Sequence, residues 1–105
     1  MVESNCQKFR SRLGEIALTD SHIEREKNDS NDWAALKNIP DGKMVNEIHF
    51  SNINQLTYSE GTTYPYIEFN TDKGNKKMFF SVGDPVQDIF KELKERLAVY
   101  RQAYE

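Results

Sequence analysis

The sequence predicts a mainly β domain of the α+β class, in which seven short strands precede one long C-terminal helix. Two observations lead to this prediction. Up to Val82, apolar and polar side chains alternate over short runs separated by turn-forming residues, as in antiparallel strands. From Asp84 onward, apolar side chains recur every three or four residues, which is the helical period. The length of 105 residues fits a single domain, residues 1–105.

The first third of the chain predicts a flexible N-terminus, residues 1–7, followed by a meander of three strands. The residues Lys8–Leu13 alternate strictly, and the pair Gly14-Glu15 is expected to form a two-residue turn. Ile16 begins a short second strand. The run His22–Lys27 predicts a third strand with few apolar residues, which is typical of a sheet edge.

A long polar connection is predicted over residues 28–43. Within it, Asp32 is expected to cap a short helix over residues 33–37, and Trp33 and Leu36 are its apolar anchors. Connections of more than about 12 residues are unusual in small domains. The segment therefore predicts either a functional insertion or disorder.

The second half of the chain predicts four further strands. The last two are joined by Asp72-Lys73-Gly74-Asn75, whose residue types indicate a hairpin. In the last strand, Met78, Phe80 and Val82 are expected to share one face. The four predicted strands are Val45–Phe50, Ile53–Tyr58, Tyr64–Thr71 and Lys76–Val82.

The C-terminal segment, residues 84–104, predicts an amphipathic helix. Asp84 is expected to cap it, Pro85 fits its first position, and Gln87 completes a capping box. We expect its apolar stripe to cover an open end of the β core. The stripe contains Val86, Ile89, Phe90, Leu93, Leu97, Tyr100 and Tyr104.

Three segments carry motifs that occur together in one family. Residues 14–23 contain G-x-hydrophobic-x-L-T, residues 47–53 are similar to an I-x-hydrophobic-S-x-I turn, and residues 69–80 are similar to a final hairpin. In this order the motifs resemble those of bacterial and archaeal pleckstrin-homology-like (PH-like) and GRAM-like domains, over roughly residues 8–104. The resemblance implies a seven-stranded orthogonal barrel or sandwich that the C-terminal helix caps. The connection over residues 28–43 is longer than the family's usual link.

Composition argues against several classes of function. With 17 acidic and 14 basic residues the net charge is -3, whereas a general nucleic-acid binder needs a basic face. The single cysteine, Cys6, excludes an internal disulfide and a multi-cysteine zinc site. Apolar runs are too short for a membrane span, and the N-terminus is polar, so we expect a cytoplasmic location.

Neither an enzyme nor a cofactor is expected. The chain contains no nucleophile elbow, P-loop or dinucleotide-binding glycine motif. Cys6 with His22 or His49 can be written as a nucleophile and base, but Cys6 lacks a recognisable catalytic setting. The two histidines with a carboxylate could also bind a metal, yet their spacing matches no ligand motif. We therefore expect both histidines to be solvent-facing sheet residues that bind no metal.

The sequence predicts a non-enzymatic interaction module that binds a protein partner, with self-association as one form of such contact. Its predicted binding residues are Tyr58, Glu60, Tyr64 and Tyr66, because aromatic residues beside Gly and Pro are common at protein contacts.

The alternative prediction is recruitment to a membrane surface through anionic lipid headgroups. Lys8, Arg10 and Arg12 alternate on one face of the first strand and resemble a basic element with which some PH domains hold phosphoinositides. Their side chains donate charge-assisted hydrogen bonds that suit phosphate. Neighbouring residues such as Glu15 offset this charge, so lipid binding is expected to be weak or absent.

Overall fold

The computed structural model describes residues 6–37, 43–60 and 64–104, which form two antiparallel sheets and one long helix. The first sheet contains, in this order, β1 (Gln7–Phe9), β2 (Gly14–Leu18), β3 (His22–Lys27) and β4 (Glu47–His49). The second contains β5 (Gln55–Ser59), β6 (Tyr66–Thr71) and β7 (Gly74–Phe79). The remaining elements are α1 (Asp32–Ala35), a 3₁₀ turn (Phe50–Asn52) and α2 (Val86–Tyr104). The predicted α+β class is confirmed, and the two sheets do not form a closed barrel within the described residues.

A bend in the chain at Asn46 connects the two sheets. Before the bend, the chain runs parallel to β7: the Val45 N–H donates to the Lys77 carbonyl (2.9 Å) and the Lys77 N–H donates to the Lys43 carbonyl (2.7 Å). At the bend, the Asn46 carbonyl accepts from the Arg25 N–H of β3 (2.6 Å), and β4 then continues beside β3. One segment therefore changes sheets, which is how the corners of orthogonally packed sheets are made.

The main core lies between the sheets and α2. Helix α2 contributes its buried residues Val86, Ile89, Leu93 and Leu97, so the predicted stripe is confirmed over three turns. Tyr104 was predicted to belong to this stripe, but its side chain is 74% exposed. The core ends before this last turn, and the Tyr104 ring packs instead against Tyr100, with ring centroids 4.7 Å apart.

A second, smaller apolar cluster lies beneath α1. Leu13, Leu36 and Phe79 are buried there, and the Trp33 ring packs against them. The Trp33 indole N–H also donates to the Leu13 carbonyl (3.2 Å). The prediction that Trp33 and Leu36 anchor the long connection is confirmed for its described part.

Strand β3 was predicted to be a sheet edge, but it lies between β2 and β4. The reason is Arg25, which is only 5% exposed and takes a core position that an apolar side chain would normally fill. Its guanidinium donates from Nε (3.1 Å) and Nη2 (2.9 Å) to the Asn46 side-chain oxygen, and from Nη1 to the Phe79 carbonyl. It also lies 5.0 Å from the centre of the Trp33 ring. Desolvation lowers the pKa of Arg25 to about 10, although the Asp84 carboxylate acts in the opposite direction.

The predicted first strand and its turn are wrong. Strand β1 ends at Phe9, and the turn precedes Gly14, which opens β2 rather than following a strand. Gly14 has a φ of +134°, and a Cβ there would lie 2.0 Å from the Glu26 carbonyl oxygen. The close approach of β3 therefore requires glycine within the strand. Gln7 was predicted to be flexible, but it belongs to β1 and pairs with Leu18 of β2. The rest of the predicted flexible N-terminus, residues 1–5, lies outside the described residues.

The two aspartates that were predicted to cap helices accept hydrogen bonds from other groups. Asp32 is the first residue of α1 rather than its cap, and its carboxylate accepts from Arg12 Nε (2.8 Å) and the Tyr64 hydroxyl (3.2 Å). The Asp84 carboxylate accepts from the backbone N–H groups of Arg12 (3.0 Å) and Ser81 (2.9 Å). It thereby holds the turn between β7 and α2.

The end of the last strand also differs from the prediction. Strand β7 ends at Phe79, and Val82 is 70% exposed in the following turn. The strand ends there because Ser81 begins the turn that Asp84 holds. None of the described helices is long and apolar enough to cross a membrane.

Candidate functional site

Tyr58 and Glu60 lie at the edge strand β5, next to α2. Tyr58 is paired with Ile67 and therefore points to the core side of its sheet, where its ring packs against Phe90 with centroids 5.7 Å apart. Its hydroxyl donates to Glu60 (3.0 Å), which also accepts from the Gln87 side chain (3.3 Å). Partial desolvation raises the pKa of Tyr58, and the hydrogen bond to Glu60 raises it further.

Tyr64 and Tyr66 pack against the second apolar cluster instead. Tyr66 is paired with Ser59, so it lies on the face of the sheet opposite Tyr58. The Tyr66 ring packs against Phe79 (5.6 Å between centroids), and the Lys77 ammonium lies 4.6 Å from its centre. The Tyr64 hydroxyl donates to Asp32, and both desolvation and this hydrogen bond raise the pKa of Tyr64. The four predicted partner-binding residues thus form two pairs on two faces.

The three cations of the predicted lipid-binding face are not aligned on one strand. Lys8 lies in β1 with its ammonium 3.7 Å from Glu15, whereas Arg10 and Arg12 follow the end of that strand. Arg12 forms an ion pair with Asp32 (2.8 Å). Arg10 is exposed beside a shallow hollow of about 420 Å³ that also contains Glu15 and Glu26. Carboxylates therefore accompany each of these cations.

A groove beside the C-terminal half of α2 was not predicted from the sequence. We call it the helix groove, and its volume is about 680 Å³. Val99 (65% exposed) and Tyr104 (74% exposed) line it, and they are two of three exposed large hydrophobic side chains in the described part of the chain. The other lining residues are Asp20, Ser21, Glu92, Glu95, Arg96, Tyr100 and Ala103. The signal in the sequence was Val99, an apolar residue outside the buried stripe.

Two histidines and two glutamates share the solvent side of the β3–β4 pair. The register places His22 opposite His49, and Glu24 opposite Glu47. Ligand atoms of His22, Glu24 and Glu47 lie within 4.8 Å of one another, so these three side chains could hold a metal ion. His49 is on the same side but outside this group, because its Nδ1 accepts from the Ser51 N–H (3.1 Å) and its ring contacts Tyr100 (5.9 Å between centroids).

Comparisons with protein-family models, with curated proteins and with solved structures give no match. Cys6 is exposed and directly precedes β1, where it belongs to none of the clusters above.

Proposed function

We propose that this chain is a non-enzymatic, PH-like interaction module of the cytoplasm, which binds a protein partner through the helix groove. The observation that carries the proposal is the exposure of Val99 and Tyr104 along one groove of about 680 Å³. Contiguous apolar side chains that a polar rim surrounds are typical of protein contact sites. The order of the elements, two antiparallel sheets followed by a C-terminal helix, supports the PH-like part of the proposal.

The charges of the groove define the chemistry of the partner. Asp20, Glu92 and Glu95 supply three carboxylates, and Arg96 is the only cation among the lining residues. Arg96 is paired with Asp20 (3.3 Å) and Glu92 (3.1 Å), and three negative charges against one positive charge leave the groove with a net charge of -2. The complementary partner is a segment that presents an apolar anchor next to Lys or Arg, because opposite potentials guide association and exclude other partners. An amphipathic helix laid beside α2 has this form.

The two surfaces predicted from the sequence are less suited to this role. The Tyr58 and Tyr64 hydroxyls are occupied by Glu60 and Asp32, and the Tyr66 ring is packed between Phe79 and Lys77. On the alternative surface, Lys8 and Arg12 are already paired with carboxylates, which weakens their attraction for lipid headgroups. Membrane recruitment therefore remains the weaker proposal.

The experiment is a selection of random peptides displayed on phage against the purified chain, followed by affinity measurements on synthetic winners. Three double variants separate the surfaces: V99S with Y104S removes the apolar anchors of the helix groove, Y64A with Y66A alters the tyrosine pair, and R10E with R12E reverses the basic residues. We expect winners with apolar anchors beside Lys or Arg. The first double variant should weaken their binding at least about tenfold, since hot-spot aromatic anchors contribute about 2 kcal/mol or more.

The two control variants should bind the same peptides within about twofold, because their residues lie away from the helix groove and affinities respond mainly to direct contacts. The proposal is refuted if the peptides bind the V99S/Y104S variant as tightly as the wild type. It is also refuted if only the Y64A/Y66A variant fails to bind them, because the partner site would then lie elsewhere. Vesicles with phosphoinositides serve as the lipid arm. Their capture by the wild type, with loss in R10E/R12E, would favour membrane recruitment.

A further inference from the structure

The β3–β4 pair brings two like-charged side chains face to face. Glu24 and Glu47 are direct cross-strand partners on the solvent side of the sheet. Like charges in directly opposite positions destabilise a sheet, by about 0.2–1 kcal/mol in typical pairs. A cation between the two carboxylates would remove this repulsion. Glu15 and Glu26 form another such pair but belong to no group of ligand atoms within the described residues, so Glu24 and Glu47 indicate a ligand only together with a third group.

His22 supplies a third ligand atom at the same place. It lies two residues before Glu24 in β3, so the strand period puts both side chains on one face. His22 Nε2 lies 2.6 Å from a Glu24 carboxylate oxygen. At this distance the two atoms form a hydrogen bond through the proton on Nε2, and a metal ion would take the place of that proton.

The orientation of His22 is fixed from outside the cluster. Its Nδ1 lies 2.9 Å from the Thr19 hydroxyl, which accepts from the N–H groups of Ser21 (3.1 Å) and His22 (3.0 Å) and lies within donor distance of the His22 carbonyl (3.1 Å). A metal ion on Nε2 replaces the proton of the hydrogen bond to Glu24, and the ring proton then sits on Nδ1, next to the Thr19 oxygen. A hydrogen bond on the remote ring nitrogen is the usual support of a metal-bound histidine.

The geometry points to a binding site for a divalent transition-metal ion, with Zn²⁺ as the best-suited ion, whose ligands are His22 Nε2 and the carboxylates of Glu24 and Glu47. One imidazole and two carboxylates form a ligand set that Zn²⁺ accepts, with bonds of about 2.0–2.2 Å. Rotation of the exposed glutamate side chains would bring the present separations, which run from 2.6 Å between His22 and Glu24 up to 4.8 Å, to the roughly 3.4 Å of tetrahedral coordination. The fourth position of the ion is then filled by water.

The chain offers matched controls for each ligand. His49 is the cross-strand partner of His22 but directs Nδ1 to Ser51, and H49N keeps a side-chain acceptor there. Glu26 lies on the same face of β3 as Glu24 but is paired with Glu15, outside the trio, so E26Q removes the same charge without removing a ligand. All variants carry C6S, which removes the exposed thiol as a competing ligand.

The test is isothermal titration of Zn²⁺ into the full, untagged chain, with Mg²⁺ as the comparison ion. We expect one Zn²⁺ per chain, loss of affinity by at least about tenfold in H22Q and in E47Q, and changes within about twofold in H49N and E26Q. Mg²⁺ should bind far more weakly, because it prefers oxygen ligands alone. As a second readout, Zn²⁺ should shift the His22 imidazole signals in the NMR spectrum and leave those of His49 in place.

Three results would overturn the site. The first is the absence of saturable Zn²⁺ binding up to about 1 mM, which is the weakest range of dedicated protein metal sites. The second is a Zn²⁺ affinity that neither H22Q nor E47Q lowers. The third is a loss of affinity in E26Q equal to that in E47Q, which would indicate a general acidic surface. Unfolding of each variant in urea is compared with that of the C6S chain. Glu24 and Glu47 are exposed and His22 is half-buried on the solvent face of the sheet, where substitutions change stability little, so these variants should stay folded.

Discussion

Replacing Gly14 with alanine should introduce both a steric clash and backbone strain. The same substitution at two other glycines introduces only the strain, so the difference in unfolding free energy measures the clash. Gly14, Gly74 and Gly83 have φ values of +134°, +109° and +98°. An added Cβ at Gly14 would lie 2.0 Å from the Glu26 carbonyl oxygen, whereas nothing lies within 4 Å at Gly74 or Gly83. All three substitutions therefore bring a comparable strain, about 1–2 kcal/mol. Only G14A also forces two neighbouring strands apart.

The additional loss at Gly14 follows from the register. Moving Glu26 away disturbs the pairs Gly14↔Lys27 and Glu15↔Glu26, and each lost backbone hydrogen bond contributes about 1 kcal/mol. Repacking of the buried Ile16 beside them adds about 1–3 kcal/mol. We expect G14A to lower the free energy of unfolding by about 4–7 kcal/mol, against about 1–2 kcal/mol for G74A and G83A.

The assay is unfolding in urea, followed by the fluorescence of Trp33, whose ring packs beside Leu13 and so reports on this region. Circular dichroism provides the independent signal. If G14A and G74A unfold within about 0.5 kcal/mol of each other, strand β3 does not approach Gly14 as described, and the explanation of the displaced first turn is wrong.

Three further predictions concern the core and the tyrosines. L93A should cost about 2–5 kcal/mol in urea unfolding, because Leu93 is fully buried where α2 covers both sheets, and a loss below about 0.5 kcal/mol would show that α2 does not cover the core. N46A should cost about 2–3 kcal/mol, because it leaves two donors of the buried Arg25 without an acceptor. N54A is the control: the Asn54 amide donates to the exposed Asp72, so its loss should cost less than about 0.5 kcal/mol. Tyr58 and Tyr64 should ionise above free tyrosine in ultraviolet difference absorbance, and E60Q should lower the midpoint of Tyr58 alone. Because the folded state raises both pKa values, the stabilising contribution of the two tyrosines is complete below about pH 10 and is lost as pH rises through the folded-state pKa values. If E60Q leaves the alkaline unfolding unchanged, this linkage is contradicted.

Features that depend on neighbours in sequence were predictable, and those that depend on distant neighbours were not. The spacing of Ile89, Leu93 and Leu97 defines one face of a helix whatever packs against it, and this stripe is buried as predicted. The aspartates gave local cap signals, but Arg12, which is 20 residues from Asp32 and 72 from Asp84, donates to both carboxylates from its side chain and its backbone. Gly14 resembled a turn residue because the carbonyl that requires it belongs to the next strand.

The candidate sites show the same division. His22 and Glu24, and likewise Glu47 and His49, are two residues apart, so each pair was predictable as sharing one face of its strand. The register that brings the two pairs together is not readable from either strand alone. Similarly, Val99 was visible as an apolar residue outside the stripe, but the second wall of the helix groove comes from Asp20 and Ser21, far away in sequence.

The two proposed sites meet at one turn, between β2 and β3. Asp20 and Ser21 line the helix groove, while the Thr19 hydroxyl contacts His22 of the proposed metal site. Tyr100, which also lines the groove, contacts His49, the cross-strand partner of His22. If a peptide in the groove moves this turn, it changes the position of the Thr19 hydroxyl and with it the affinity for Zn²⁺. Linkage then requires Zn²⁺ to change the affinity for the peptide by the same factor, so titrations in either order must give one coupling free energy.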